Sequence, residues 1–208
     1  MEISNYEQMK RQMQVHFLDY DQEKMIRRFS LKSDDSFLYL NFLGRPYRVD
    51  RVSGRVEWSE NGFADAVEAD YNEVMSIFDV LCCSQEDCCL SGEFVSVNNL
   101  PGIVAGARSG NGMFSESAEF FAGKTEALRN ACKQMGGTEI PQGDVGFRLW
   151  AFDFLPFELR FWEADEEFPP SLSLLWDRNL LKYIHYETSY FIAGHLMRRL
   201  KEMMEEDK

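Results

Sequence analysis

From Val145 to Trp176 the sequence alternates like pleated strands, and no other feature constrains the fold as strongly. Phe157, Leu159 and Phe161 interleave with Glu158, Arg160 and Trp162, which gives a strand with one apolar and one mixed face. Val145 to Leu155, Phe157 to Trp162 and Ser171 to Trp176 read as three strands separated by proline or acidic breaks. A second strand region precedes it: Phe37–Leu43, Tyr47–Asp50 and Arg55–Trp58, punctuated by Gly44 and Ser53-Gly54, read as an antiparallel meander.

Helical periodicity fills the remainder. Asn5 to Phe17 and a short segment through Met25 and Phe29, capped by Asp19 or Asp21, form an N-terminal helical segment over residues 1–29. Phe63 to Cys83 places Val67, Tyr71, Val74, Phe78 and Leu81 on one face. Phe120, Leu128 and Ala131 mark one or two helices closed by Gly136-Gly137. A last amphipathic helix runs from about Tyr186 to Met204, with Ile192, Leu196, Leu200 and Met203 aligned. The fold class is α+β: antiparallel sheet regions at about 37–58 and 145–176, packed by helices. Residues 1–208 form a single domain with a core over 37–204, since no long linker divides them.

Charge narrows the partners. Thirty-five Asp and Glu against 22 Lys and Arg leave a net charge of −13, a surface that repels phosphate. Nucleic acid and anionic membranes are therefore excluded as expected partners. No apolar run approaches the roughly 20 residues of a membrane-spanning helix, and no signal-peptide pattern opens the chain. Four of the five cysteines crowd into Cys82, Cys83, Cys88 and Cys89, unlike the dispersed cysteines of secreted domains, so a reducing cytoplasm is expected.

Two stretches carry a family resemblance. One is Gly92-Glu93-Phe94-Val95-Ser96-Val97-Asn98-Asn99-Leu100-Pro101-Gly102. The other runs from Leu155-Pro156 through Phe161-Trp162-Glu163-Ala164-Asp165-Glu166-Glu167-Phe168-Pro169 to Leu175-Trp176-Asp177. The second is similar to the signature of domain-of-unknown-function family 3786, seen mostly in anaerobic bacteria and archaea. It ends here in Trp-Asp where Phe-Asp is more usual. The resemblance extends from about Phe37 to Leu200 and implies the order of elements but no particular activity. Some relatives carry an added cysteine-rich iron–sulfur segment, and the resemblance transfers that property to no residue of this chain.

The acidic turn is the sharpest candidate site. Glu163, Asp165, Glu166 and Glu167 lie between two strands and lead into Phe168-Pro169-Pro170. Clustered carboxylates suit a hard divalent cation, or an acid and base whose pKa values burial drives apart. Residues on a strand alternate faces, so Asp165 and Glu167 form the inward, metal-ligating pair and Glu166 points out. Trp162, Asp165, Glu167, Phe168, Trp176 and Asp177 are the candidate ligand-binding residues of an aromatic-walled cleft. A solvated turn that discourages edge-to-edge aggregation is the competing reading.

Other motifs say less. The cysteine pairs lack chelating spacing, so no zinc or cluster is expected on Cys82, Cys83, Cys88 and Cys89; packed thiols at a helix end are expected instead. His16, His185 and His195 form no metal spacing. Ser109-Gly110-Asn111-Gly112 matches neither a P-loop nor a dinucleotide fingerprint, and reads as a surface loop or a lid. Asp153 lies in a run apolar on both faces and is expected to pair with Arg148 or Arg160.

The functional expectation is an accessory or small-ligand-binding protein with its cleft near the acidic turn. A small molecule or a divalent cation is the expected partner, with a partner protein or a second copy of the chain as a further option. A metal-dependent enzyme using Asp165–Glu167 and a protein-interaction module are the alternatives. The sequence specifies no cofactor and no catalytic residue.

Overall fold

The computed structural model describes residues 4–103 and 114–206. Ser4 and Asp21 start the first two helices, each side chain accepting from the backbone N–H three residues on. Helix α1 spans Asn5–Phe17 and α2 spans Gln22–Phe29. Strands β1 (Lys32–Ser33), β2 (Phe37–Phe42), β3 (Arg45–Asp50), β4 (Val56–Trp58) and β5 (Val67–Glu68) follow. The β2–β3 turn is made by Leu43 at φ +48° and Gly44 at φ +73°, both left-handed as a tight two-residue hairpin requires. A Cβ on Gly44 would lie 2.9 Å from the carbonyl oxygen of Met135, so this turn also needs glycine for clearance.

Helix α3 runs Tyr71–Cys83, eight residues shorter than its apolar stripe suggests. The start is fixed by a reciprocal cap: Asp70 accepts from the Glu73 N–H while Glu73 accepts from the Asp70 N–H. Upstream of it, Phe63 turns into the left-handed region and Val67–Glu68 pair with β4. Next come β6 (Phe94–Ser96), α4 (Ser115–Phe121), α5 (Thr125–Gln134) and β7 (Thr138–Glu139). Strands β8 (Val145–Phe152), β9 (Leu155–Trp162) and β10 (Ser171–Asp177) precede α6 (Thr188–Glu206). The expected strand 145–155 breaks at Asp153-Phe154, which form the hairpin turn between β8 and β9.

The two strand regions are one antiparallel sheet, ordered β5-β4-β3-β2-β8-β9-β10-β6, with β1 beside β2 and β7 beside β8. A single bridge, Phe42 opposite Phe152, joins the halves, reinforced by the Leu43 N–H donating to Ala151 O at 2.9 Å. One face of the sheet is apolar and carries Leu38, Phe42, Phe147, Phe157 and Phe161 into the core. Helices α3 and α6 pack together, with α1 against α3 and α5 against α6 and β8. The α6 residues Ile192, Leu196 and Leu200 are fully buried, as their spacing predicts. No helix among the described residues is long and apolar enough to cross a membrane.

Candidate functional site

The acidic hairpin is built around Asp165. Its Oδ1 accepts from the N–H groups of Glu167 and Phe168, both at 2.8 Å, and its own N–H donates to Phe168 O. That carboxylate shapes the turn, which is the reason a polar residue stands there. Trp162, Asp165, Phe168 and Pro169 line a cavity of about 500 Å³, with Asp144 and Glu163 at its wall. Glu166 and Glu167 are exposed, and neither lines it. Trp176 and Asp177 lie elsewhere. Trp176 is buried against Phe157, with ring centroids 5.0 Å apart. Asp177 is fully buried, and its oxygens accept from the N–H groups of Ser91, Gly92 and Asn179 and from the Ser91 hydroxyl. Three of the six expected residues thus meet, and two serve the interior.

The expected pairing of Asp153 is not found. Asp153 is exposed in the β8–β9 turn and accepts from the Asn41 amide at 3.0 Å. Arg148 and Arg160 hold Glu158 instead, at 2.9 and 2.6 Å. Burial works against the Glu158 charge, but hydrogen bonds from the two guanidiniums outweigh it and hold this carboxyl below its usual range.

A buried polar centre, not anticipated from the sequence, joins β3, α3 and α6. The Tyr47 hydroxyl donates to Glu73 Oε1 at 2.7 Å, and His195 Nε2 lies 3.5 Å from both groups. Arg198 approaches His195 Nδ1 at 2.6 Å and Asp70 at 2.7 Å. A guanidinium only donates, so Nδ1 accepts and the ring proton sits on Nε2, facing Glu73. The ring stacks on Phe42 at 5.2 Å. Burial, then the neighbouring Arg198 charge, push His195 down to about 3, so it is neutral at physiological pH. Burial raises Glu73 against the pull of the Tyr47 hydrogen bond. Tyr47, Glu73, His195, Arg198 and Asp70 all have partners within the centre, which makes it a specifier of the core. Its sequence signal was Asp70-x-x-Glu73 together with a histidine inside an apolar stripe.

A cavity of about 520 Å³ lies on the outer face of β2 and β3. Tyr39, Asn41 and Pro46 come from the strands, Phe29 to Lys32 from the end of α2, and Phe63 and Asp153-Phe154 from two turns. Phe29 stacks on Phe154 at 4.0 Å. Ser30 at φ +52° and Phe63 at φ +67° both line it. The buried Ser59 hydroxyl holds the second turn, accepting from the N–H groups of Asn61 and Phe63.

The five cysteines are free thiols. Burial pushes Cys82 up to about 12 and Cys132 to about 12, while burial and the Asp79 carboxylate take Cys83 to about 11. Cys82, Cys83 and Cys132 are therefore not activated nucleophiles. Among the described residues two groups of three donors converge within 4.8 Å: Asp70, Glu73 and His195 in the buried centre, and Asp79, Cys83 and His185 at the surface. The expected pair Asp165 and Glu167 belongs to neither. His16 is exposed, 3.7 Å from Asp19. Ser109–Gly112 lies outside the described residues.

A model of the family described as domain of unknown function (DUF3786) matches residues 21–199. The chain belongs to this family. The DUF3786 match runs from the cap of α2 to Arg199 in α6, and so takes in the sheet, the buried centre, both cavities and the surface donor triad. No curated protein and no solved structure matches the chain.

Proposed function

We propose that the chain is a small-molecule-binding protein and that its ligand occupies the cavity on the outer face of β2 and β3. Phe63 carries this reading. A bulky residue in the left-handed region costs about 1–2 kcal/mol, and such strain gathers where a side chain is held for a ligand. Ser30 shares the conformation, and both N–H groups are held, by Ile26 O and Ser59 Oγ, but Phe63 alone of the two brings a bulky ring to the wall, so it is the sharper case. A volume of about 520 Å³ suits a small ligand. Phe29, Tyr39, Phe63 and Phe154 favour a planar apolar body, while Lys32, Asn41 and Asp153 offer a polar edge. Five free thiols fit a reducing, cytoplasmic setting, and the net charge of −13 disfavours polyanionic partners.

The test is a thermal-shift screen of planar heteroaromatic compounds, with Mg²⁺ and Ca²⁺ included, on the parent and on Phe63→Gly. Glycine removes the wall and the strain together, so folding stability should change by less than about 1 kcal/mol while the shift disappears. The hairpin cavity is the second reading, favoured by the exposed Trp162 and Phe168 at its rim. A response kept in Phe63→Gly but lost in Trp162→Ala would move the ligand there. No response in the parent from any compound or cation would end both readings.

A further inference from the structure

The geometry points to a mononuclear transition-metal site formed by Asp79, Cys83 and His185, one that takes Zn²⁺ or a similar borderline cation. Asp79 and Cys83 stand one turn apart on α3, so their side chains share a face. The segment leading into α6 is tied to that face: Asp79 Oδ2 accepts from the His185 N–H at 2.7 Å, and Oδ1 lies 2.6 Å from His185 Nδ1. The three donor atoms already lie within 4.8 Å of one another. Tetrahedral zinc bonds of about 2.0–2.3 Å place ligands roughly 3.3–3.7 Å apart, so a small closure of exposed side chains is enough. One thiolate, one imidazole and one carboxylate is a donor set that selects zinc over Mg²⁺ or Ca²⁺.

Two features of the surroundings agree. The last turn of α3 holds no basic residue, so the negative end of this 13-residue helix favours a cation. Arg28 donates to the Ser84 carbonyl and hydroxyl just past that end, and to no member of the triad among the described bonds. Asp79 is buried and fixed by the backbone bond, whereas Cys83 and His185 are exposed, leaving a fourth position open to water. On binding, the Cys83 thiol becomes a thiolate and its proton leaves to solvent. The imidazole proton now facing Asp79 moves to the other ring nitrogen. Spacing between cysteines, or between histidines, misses this site because its ligands are three different residue types.

The test uses the full chain stripped with EDTA and titrated with Co²⁺, and then with Zn²⁺ in competition. One equivalent of cobalt should produce a thiolate-to-cobalt charge-transfer band that one equivalent of Zn²⁺ bleaches and excess Mg²⁺ does not. Cys83→Ser should abolish the band, and His185→Gln should weaken cobalt binding at least tenfold; both positions are exposed, so the variants fold. Cys89→Ser should leave the titration unchanged. Absence of the band in the parent, its survival in Cys83→Ser, or equal loss in Cys89→Ser would overturn the site.

Discussion

His195 is held neutral in the interior by burial and by the Arg198 guanidinium at Nδ1, while Asp70 pulls the other way and Arg199 and Arg45 add to the depression. Its folded pKa, about 3, lies below the ordinary 6.5, so between those values the unfolded chain binds a proton that the native state refuses. The stability this provides is complete above pH 6.5 and is lost as pH falls toward 3, at up to about 1.4 kcal/mol per pH unit. Glu73 is raised, and by itself makes stability fall as pH rises through the range just above 4.5, against the histidine's trend. A reference lacking only this histidine separates the two. Urea unfolding at pH 7 and pH 5 should show the parent losing about 2 kcal/mol more than His195→Gln. Equal losses would mean that the ring is protonated in the fold.

At the scale of elements, legibility followed the origin of each constraint. Helix α1, strands β2 to β4, β9, β10 and α6 stand where period and punctuation place them, because each buries one face against its neighbours. Helix α3 starts later than its periodicity suggests because Phe63 and Val67 lie on its apolar stripe, while the Asp70 cap, a local hydrogen-bonding fact, sets the start. Asp153 reads as a strand residue because Phe152, Phe154 and Leu155 hide a two-residue turn that lacks glycine. The buried centre and the metal-ligand triad depend on contacts between residues distant in sequence, Tyr47 with Glu73 and His195 and Asp79 with His185, which periodicity does not encode. Glu158 and Glu166 show the same distinction between strand and turn. Glu158 is a strand residue sealed beneath two guanidiniums, and Glu158→Gln should cost about 1–3 kcal/mol by weakening both charged hydrogen bonds. Glu166 is a turn residue in solvent, and Glu166→Gln should stay within about 0.5 kcal/mol. Similar losses in denaturant unfolding would place the two acids in like environments and contradict the register of β9.

At the scale of the molecule, two electrostatic effects oppose each other, and salt discriminates between them. Surface ion pairs such as Arg51–Glu23, Arg178–Glu93 and Lys182–Asp87 favour the fold and are weakened by screening. Exposed pairs of this kind contribute about 0–1 kcal/mol each, and many contribute nothing measurable. Against them stands a net charge of −13, whose mutual repulsion disfavours any compact state and is also screened. The pairs are local, and side-chain entropy already offsets much of their attraction. The excess charge acts across the whole surface, over separations that exceed the screening length of about 8–10 Å at 0.1–0.15 M salt. Repulsion should therefore dominate the response. Raising NaCl from 0.02 to about 0.3 M should stabilise the chain by about 1 kcal/mol, read as a higher urea midpoint at unchanged slope. A midpoint that falls with salt would show that the ion pairs outweigh the repulsion, and the acidic surface would then have to be counted as organised rather than merely solvated.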